Sequence, residues 1–303
     1  MKKRIKSGLK SLLIFMAVML LFPQVCCYIY HFFDSDFVIG KDHDSLKDHY
    51  MGKEILIEVN GLIKSIDVEE YVLGIMPGVI PPDYETEALK TQAVLIRTNV
   101  LKEIEEKNSN KATDLSYQYL TTEDREELWG RKKYDKYESK VEQAVINTAG
   151  RVLKHNNELI TAMYHEVSIG KTASALEILD ADIPYLQSVD SNSDVEAIDY
   201  MNQYEFSDLD INIEESTENG FVKKANISGT SYSGEEIQEM LNLASTNFYV
   251  EKTGNAVRIV CLGKGNCLGI SQFGANHMAA NGCSMEDIIA HYYKDVIITD
   301  SRE

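Results

Sequence analysis

The sequence predicts a mixed α+β ectodomain behind a single N-terminal transmembrane helix. Three observations carry this expectation. A basic tip precedes a long apolar stretch at the start of the chain. Later segments repeat apolar residues every three or four positions, the helical period. Others alternate apolar and polar residues or flank the turn dipeptide Asn60-Gly61, the pattern of strands and hairpins.

The 303 residues carry 30 Lys+Arg against 48 Asp+Glu, a formal charge of −18. Lys2, Lys3, Arg4, Lys6 and Lys10 precede residue 34 without any carboxylate, so residues 34–303 hold 25 basic and 48 acidic side chains, a charge of −23. A body this acidic excludes a phosphate-backbone binder, which needs clustered cations. A hydrophobic fraction of 44% with 9% aromatics excludes disorder. No period of 20–50 residues repeats, so solenoids are excluded as well.

The apolar stretch runs from Leu9 to Phe33, with Leu12–Phe22 unbroken and Pro23-Gln24 interrupting it. The unbroken run alone suits a signal-peptide core, whereas the whole stretch is long enough to span a bilayer. No small-x-small cleavage site follows, and Cys26 and Cys27 lack the small residues that precede a lipoprotein cysteine. Tyr28, Tyr30, Phe32 and Phe33 form an interfacial aromatic belt. The expectation is one uncleaved helix over 1–33, its basic end cytoplasmic and the rest of the chain extracytoplasmic. A juxtamembrane linker over 34–52, a domain over 53–298 and a tail over 299–303 complete the organisation.

Within the domain, Lys53–Val59 and Leu62–Val68 flank Asn60-Gly61 as a hairpin. Leu89, Ala93, Ile96, Val100 and Ile104 make one buried stripe on a helix from about Glu85 to Glu105. Lys90 and Arg97 lie two turns apart on another face, either as solvated cations or as a pair addressing one ligand. Residues 102–140, dominated by charge, read as a helical excursion with exposed loops. Glu138–Ala149 reads as a helix ending at Gly150, and Arg151–Lys154 with Glu158–Tyr164 as a second hairpin. Residues 196–226 are acidic and read as irregular. Ser233-x-x-Glu236 is a capping box opening a helix, and Phe248–Val250 and Ala256–Leu262 alternate like strands. A Gly-rich run, Gly263–Ala275, feeds a helix that stops at Gly282, and Ser284-x-x-Asp287 opens the last one.

Nucleotide, zinc-protease and serine-hydrolase motifs are missing: there is no complete Walker or dinucleotide fingerprint, no His-Glu-x-x-His and no Gly-x-Ser-x-Gly. Cys261, Cys267 and Cys283, with His277 or His291, offer a zinc set without Cys-x-x-Cys spacing; free or partly paired thiols are the other reading.

Four blocks in order carry a resemblance. They are Glu69–Pro81 followed by Glu87–Thr98; Tyr164–Thr172 with Pro184–Asp190; Tyr232–Ile237 running to Phe248; and Ser271–Ala275 with His291–Tyr293. Together they resemble the stage II sporulation protein D family, which includes sporulation lytic transglycosylases and amidase-enhancer proteins. The resemblance implies a two-lobed protein with a groove for peptidoglycan strands, a mother-cell membrane location, and septal wall remodelling during engulfment. It implies a cell-wall amidase and other engulfment membrane proteins as partners; no cofactor or metal is expected, and the acidic body leaves no nucleic-acid partner. It also implies that one Glu protonates the glycosidic oxygen and then deprotonates the sugar's 6-hydroxyl, closing a 1,6-anhydro ring.

The chain departs from that pattern at the chemical centre. The family's catalytic Glu position is occupied by Val79, which carries no proton. Gly-His-Gly has become Gly265-Asn266-Cys267, and Ser-Gly-Gly has become Ser168-Ile169-Gly170, with Glu166 where a smaller residue is usual. The resemblance implies that Lys90, Gln92, Arg97, Tyr164, His165, Ser168, Asn266, Ser271 and Gln272 line the groove. Glu166 is the candidate replacement acid, with Asp83 and Glu87 behind it. Three readings follow: a glycan-strand-binding or regulatory paralogue, a lytic transglycosylase with a relocated carboxylate, or a scaffold in a membrane complex that never touches glycan.

Overall fold

The first hairpin forms where Asn60 and Gly61 both take positive φ, 54° and 75°, pairing β1 (Glu54–Val59) with β2 (Leu62–Asp67). The computed structural model describes residues 45–302 except 254 and 255. The expected anchor at 1–33 and most of the linker precede residue 45 and lie outside the described residues. Among the described residues no helix is long and apolar enough to cross a membrane. Leu46 already packs in the core and Tyr50 donates to Glu70 at 2.6 Å, so the folded unit begins before residue 53.

Asp67 caps α1 (Val68–Ile75), accepting from the Glu69 amide at 2.9 Å. A short 3-10 turn, Met76–Gly78, then leads through Val79 to Pro81-Pro82. The long helix α2 (Thr86–Lys107) follows, and it is central. Its predicted stripe, Leu89, Ala93, Ile96 and Val100, packs with α1 and β1. Ala88, Val94 and Leu95 on a different face pack into a second cluster. Burial on two faces makes α2 the spine of the domain rather than a surface helix.

The excursion after α2 holds α3 (Thr122–Trp129) and α4 (Arg131–Ile146). Then β3 (Arg151–His155) turns through Asn156 and Asn157, both at positive φ, into β4 (Glu158–Leu159). Tyr164 leaves that hairpin. With His165 it forms β5 (Tyr164–His165), which pairs in parallel with β12 (Ile270–Ser271) and so sets two signature blocks side by side. The short helix α5 (Ala175–Leu179) follows.

Residues 196–226, expected to be irregular, contain three strands: β6 (Met201–Ser207), β7 (Ile211–Ser216) and β8 (Val222–Ile227). β7, β8 and β9 (Thr230–Ser233) form one sheet; β6 pairs with β11 (Ala256–Leu262), which pairs with β10 (Phe248–Thr253), in another. Helix α6 (Gly234–Leu241) opens on the predicted capping box. Its Ile237 joins Ile211, Ala225 and Ile259 in an apolar cluster of these sheets. Helices α7 (Gln272–Ala280) and α8 (Met285–Tyr292) then pack against α2. Strand β13 (Ile297–Asp300) pairs with β3, so the expected tail at 299 is part of a sheet. The α+β class holds, while the two expected lobes do not separate: from Ser45 onward the chain forms one compact unit.

Candidate functional site

Position 79 sits at a cleft. The 3-10 turn after α1 is closed by the Val79 amide donating to the Met76 carbonyl at 3.0 Å. Ile80 precedes Pro81, which biases it away from helix and turns the chain outward. Two adjoining hollows, of about 380 and 240 Å³, share Pro81 and Glu166 as lining residues. Val79, Leu128 and Trp129 line the first; Tyr84, Ile198 and Gln272 line the second. Most of the lining is apolar, as in small-molecule sites generally.

Gln272 reaches Val79 from α7. Its Nε2 donates to the Val79 carbonyl at 2.9 Å and to Gln92 Oε1 at 3.0 Å. Both glutamines are buried, and Gln92 Nε2 has no partner. The first and fourth blocks therefore meet beneath the cleft.

Glu166 faces the same space, but tied to a lysine. Its carboxylate lies 2.5 Å from the Lys264 ammonium, which also reaches Asp199 at 3.5 Å. The hydrogen bond that Lys264 donates to Glu166 raises the Lys264 pKa against the pull of desolvation. Glu166 and Asp199 are the carboxylates that line the two hollows, and one lysine holds both. Carboxyl groups that donate protons near neutrality sit in apolar surroundings instead.

The other two candidate carboxyls are elsewhere. Asp83 does not line either hollow. Glu87 accepts from Lys90 at 2.7 Å and from the Met285 amide at 3.0 Å. Burial raises its pKa, but these hydrogen bonds outweigh burial and hold it below the ordinary value.

Several predicted groove residues do not line either hollow. Arg97, expected on a groove wall, is wholly buried. Its guanidinium donates to both Glu69 oxygens, at 2.8 and 2.6 Å, and to the Arg151 carbonyl at 3.2 Å. That fork pins α1 to α2 and to the start of β3, and leaves Arg97 facing the core instead of the cleft. Lys90 is tied to Glu87 on the helix surface. The Tyr164 hydroxyl hydrogen-bonds Tyr117, and burial raises its pKa well above the ordinary phenol value. Asn266 is exposed, its Oδ1 accepting from the Leu268 amide at 3.0 Å in a local turn.

Ser168 and Ser271 converge on Asp194, a buried residue that sequence reasoning missed. Asp194 Oδ2 accepts from the Ser168 amide and from Ser271 Oγ, both at 2.6 Å, and Oδ1 accepts from Ser191 Oγ at 3.0 Å. Ser271 also caps α7, accepting from the Gly274 amide at 3.1 Å. His165 lies close enough to feel Asp194. Its Nδ1 contacts the Leu268 carbonyl at 3.0 Å, Nε2 is buried without a partner, and burial pushes the imidazole pKa down to about 4. The sequence gives no periodic signal for Asp194, which follows Ser191 in a polar run.

The three thiols are free. Cys261 and Cys267 are buried, Cys267 raised to about 12 by burial. His291 Nε2 contacts the Asp190 carbonyl at 2.8 Å, and no group of three metal-ligating side chains occurs among the described residues.

Spine helix, proline turn and Gly-rich helix thus define an α+β domain whose first, second and fourth blocks come together at one cleft. Residues 58–155 match the stage II sporulation protein family. Stage II sporulation protein D of Bacillus amyloliquefaciens is 29% identical over 280 residues, covering 85% of this chain and 81% of that protein. The protein of the same name from Bacillus subtilis (strain 168) is 28% identical over 285 residues, covering 86% and 83%. An amidase enhancer of Bacillus subtilis is 30% identical over 113 residues, 37% of this chain and 14% of that protein. The chain thus carries a stage II sporulation protein domain over residues 58–155 and is similar to stage II sporulation protein D over most of its length, in line with the resemblance of its four blocks.

Proposed function

We propose that this chain is a membrane-anchored protein of the sporulation cell wall that binds peptidoglycan glycan strands without cleaving them. Its partners in this reading are the strands, a cell-wall amidase and other engulfment membrane proteins. Its first 33 residues anchor it with the N-terminus cytoplasmic and the domain outside. The observation that carries the reading is the cleft at Val79: an apolar side chain stands at the position the resemblance gives to the acid, and both lining carboxylates are paired with Lys264. A general acid must hold a proton within reach of the leaving oxygen, and neither paired carboxylate is arranged to do so.

The test is incubation of the full-length chain in detergent with glycan strands stripped of stem peptides. Co-sedimentation without anhydromuramyl-ended fragments is expected, and such fragments from clean protein would overturn the reading. A second reading, a transglycosylase acting through Glu166, is favoured by that residue's place in both hollows. Glu166→Gln decides it, since any strand cleavage that survives the substitution removes Glu166 from the chemistry.

A further inference from the structure

We propose that Trp129 is the sugar-stacking platform of the cleft, the residue on which a neutral pyranose ring of the strand rests beside Val79. The inference rests on the glycan-binding reading above and assigns that site its main contact.

Trp129 is the single tryptophan of the chain and ends α3, in a segment whose composition suggested only charged helix and loop. It is half-buried and lines the same hollow as Val79 and Glu166. Its indole is held by aromatic neighbours on α4: the Tyr137 ring lies edge-on at 5.8 Å and the Tyr134 ring is tilted at 6.3 Å. The backbone is equally fixed. Gly130 follows at φ 71°, a conformation that side-chain-bearing residues rarely adopt, and turns the chain from α3 into α4. Arg125 clamps the two helices through both Glu138 oxygens, at 2.9 and 2.6 Å, and anchors α3 to the Leu120 carbonyl at 2.8 Å. An aromatic plane immobilised before binding loses little entropy when a ligand docks on it.

The surroundings select the ligand. Pro77, Val79, Pro81, Pro82 and Leu128 line this hollow with Trp129, and its one charged lining residue, Glu166, is neutralised by Lys264. Such a surface rewards the apolar face of an uncharged ring and offers nothing to a charged peptide. Leu128 beside it is 56% exposed and extends the apolar lining of this hollow.

A lone tryptophan makes the test direct, because every change in indole emission of the full-length chain reports this position. Titration with soluble stem-peptide-free glycan strands is expected to shift the emission to shorter wavelength. Trp129→Ala is expected to weaken co-sedimentation with those strands about tenfold, the effect of removing one aromatic anchor. Trp129→Phe keeps a ring and retains most of the binding. Should Trp129→Ala fail to fold by thermal melting, the emission shift of the parent and the co-sedimentation of the Phe variant decide. Strands that bind without changing the emission, and that bind Trp129→Ala as tightly as the parent, overturn the platform and leave glycan binding standing. No binding by the parent overturns both.

Discussion

Glu69 and Arg97 have no contact with water, so removing either strands the other's charge in the core. Arg97→Ala is expected to cost about 3–5 kcal/mol in urea denaturation, the range for breaking a buried pair. Lys90→Ala, at a partly exposed pair, is expected to cost about 1 kcal/mol or less. The two cations share a helix face by spacing, and nothing local distinguishes them. The difference comes from Glu69 and the start of β3, which cover Arg97 from elsewhere in the chain. A double alanine variant therefore tests folding, and Lys90→Ala alone probes surface function. His165 gives a pH-dependent counterpart. Its proton binds near pH 6.5 in the unfolded chain and near 4 in the folded one. Between those values the unfolded state holds more protons, so His165 removes stability as pH falls through the window, by about 3 kcal/mol at most. Chemical denaturation of His165→Gln at pH 7 and pH 4 should show that part of the acid sensitivity gone.

Among elements, those announced by local chemistry were legible: the Asn60-Gly61 hairpin, the boxes at Ser233 and Ser284, and the stripe of α2. The strands inside 196–226 were not. In β6, half-buried residues such as Tyr204 and Phe206 alternate with exposed polar ones, and the acidic content obscures a period that only pairing with β11 reveals. The excursion's role was hidden for another reason: its attachment is a close approach, not a pattern. A Cβ on Gly74 of α1 would lie 2.2 Å from the Tyr119 ring, which stacks on Tyr71 at 5.8 Å. Gly74→Ala must push Tyr119 off α1. The expected result is a loss of about 1–3 kcal/mol in a denaturation curve, as overpacking typically costs. Strand binding should weaken too, because the wall carrying Trp129 moves with Tyr119.

For the molecule as a whole, the charge division at residue 33 leads to a fractionation experiment. Deleting residues 1–33 is expected to move the chain from the membrane pellet to the soluble fraction, and continued sedimentation with membranes would refute the anchor. The site was legible as a set of blocks and not as a geometry. Register alone placed Val79 where the resemblance puts the acid, whereas the pairing of Glu166 with Lys264 and the gathering of two serines at Asp194 depend on long-range closure. That gathering has a consequence for how the protein breathes. Asp194 carries bonds from Ser168, Ser191 and Ser271, so lifting α7 away also exposes a carboxylate that holds the second block. The amides of Ser168 and Gly274, far apart in the chain, should then exchange their hydrogens with solvent in a single opening event, with matching protection and a shared response to denaturant.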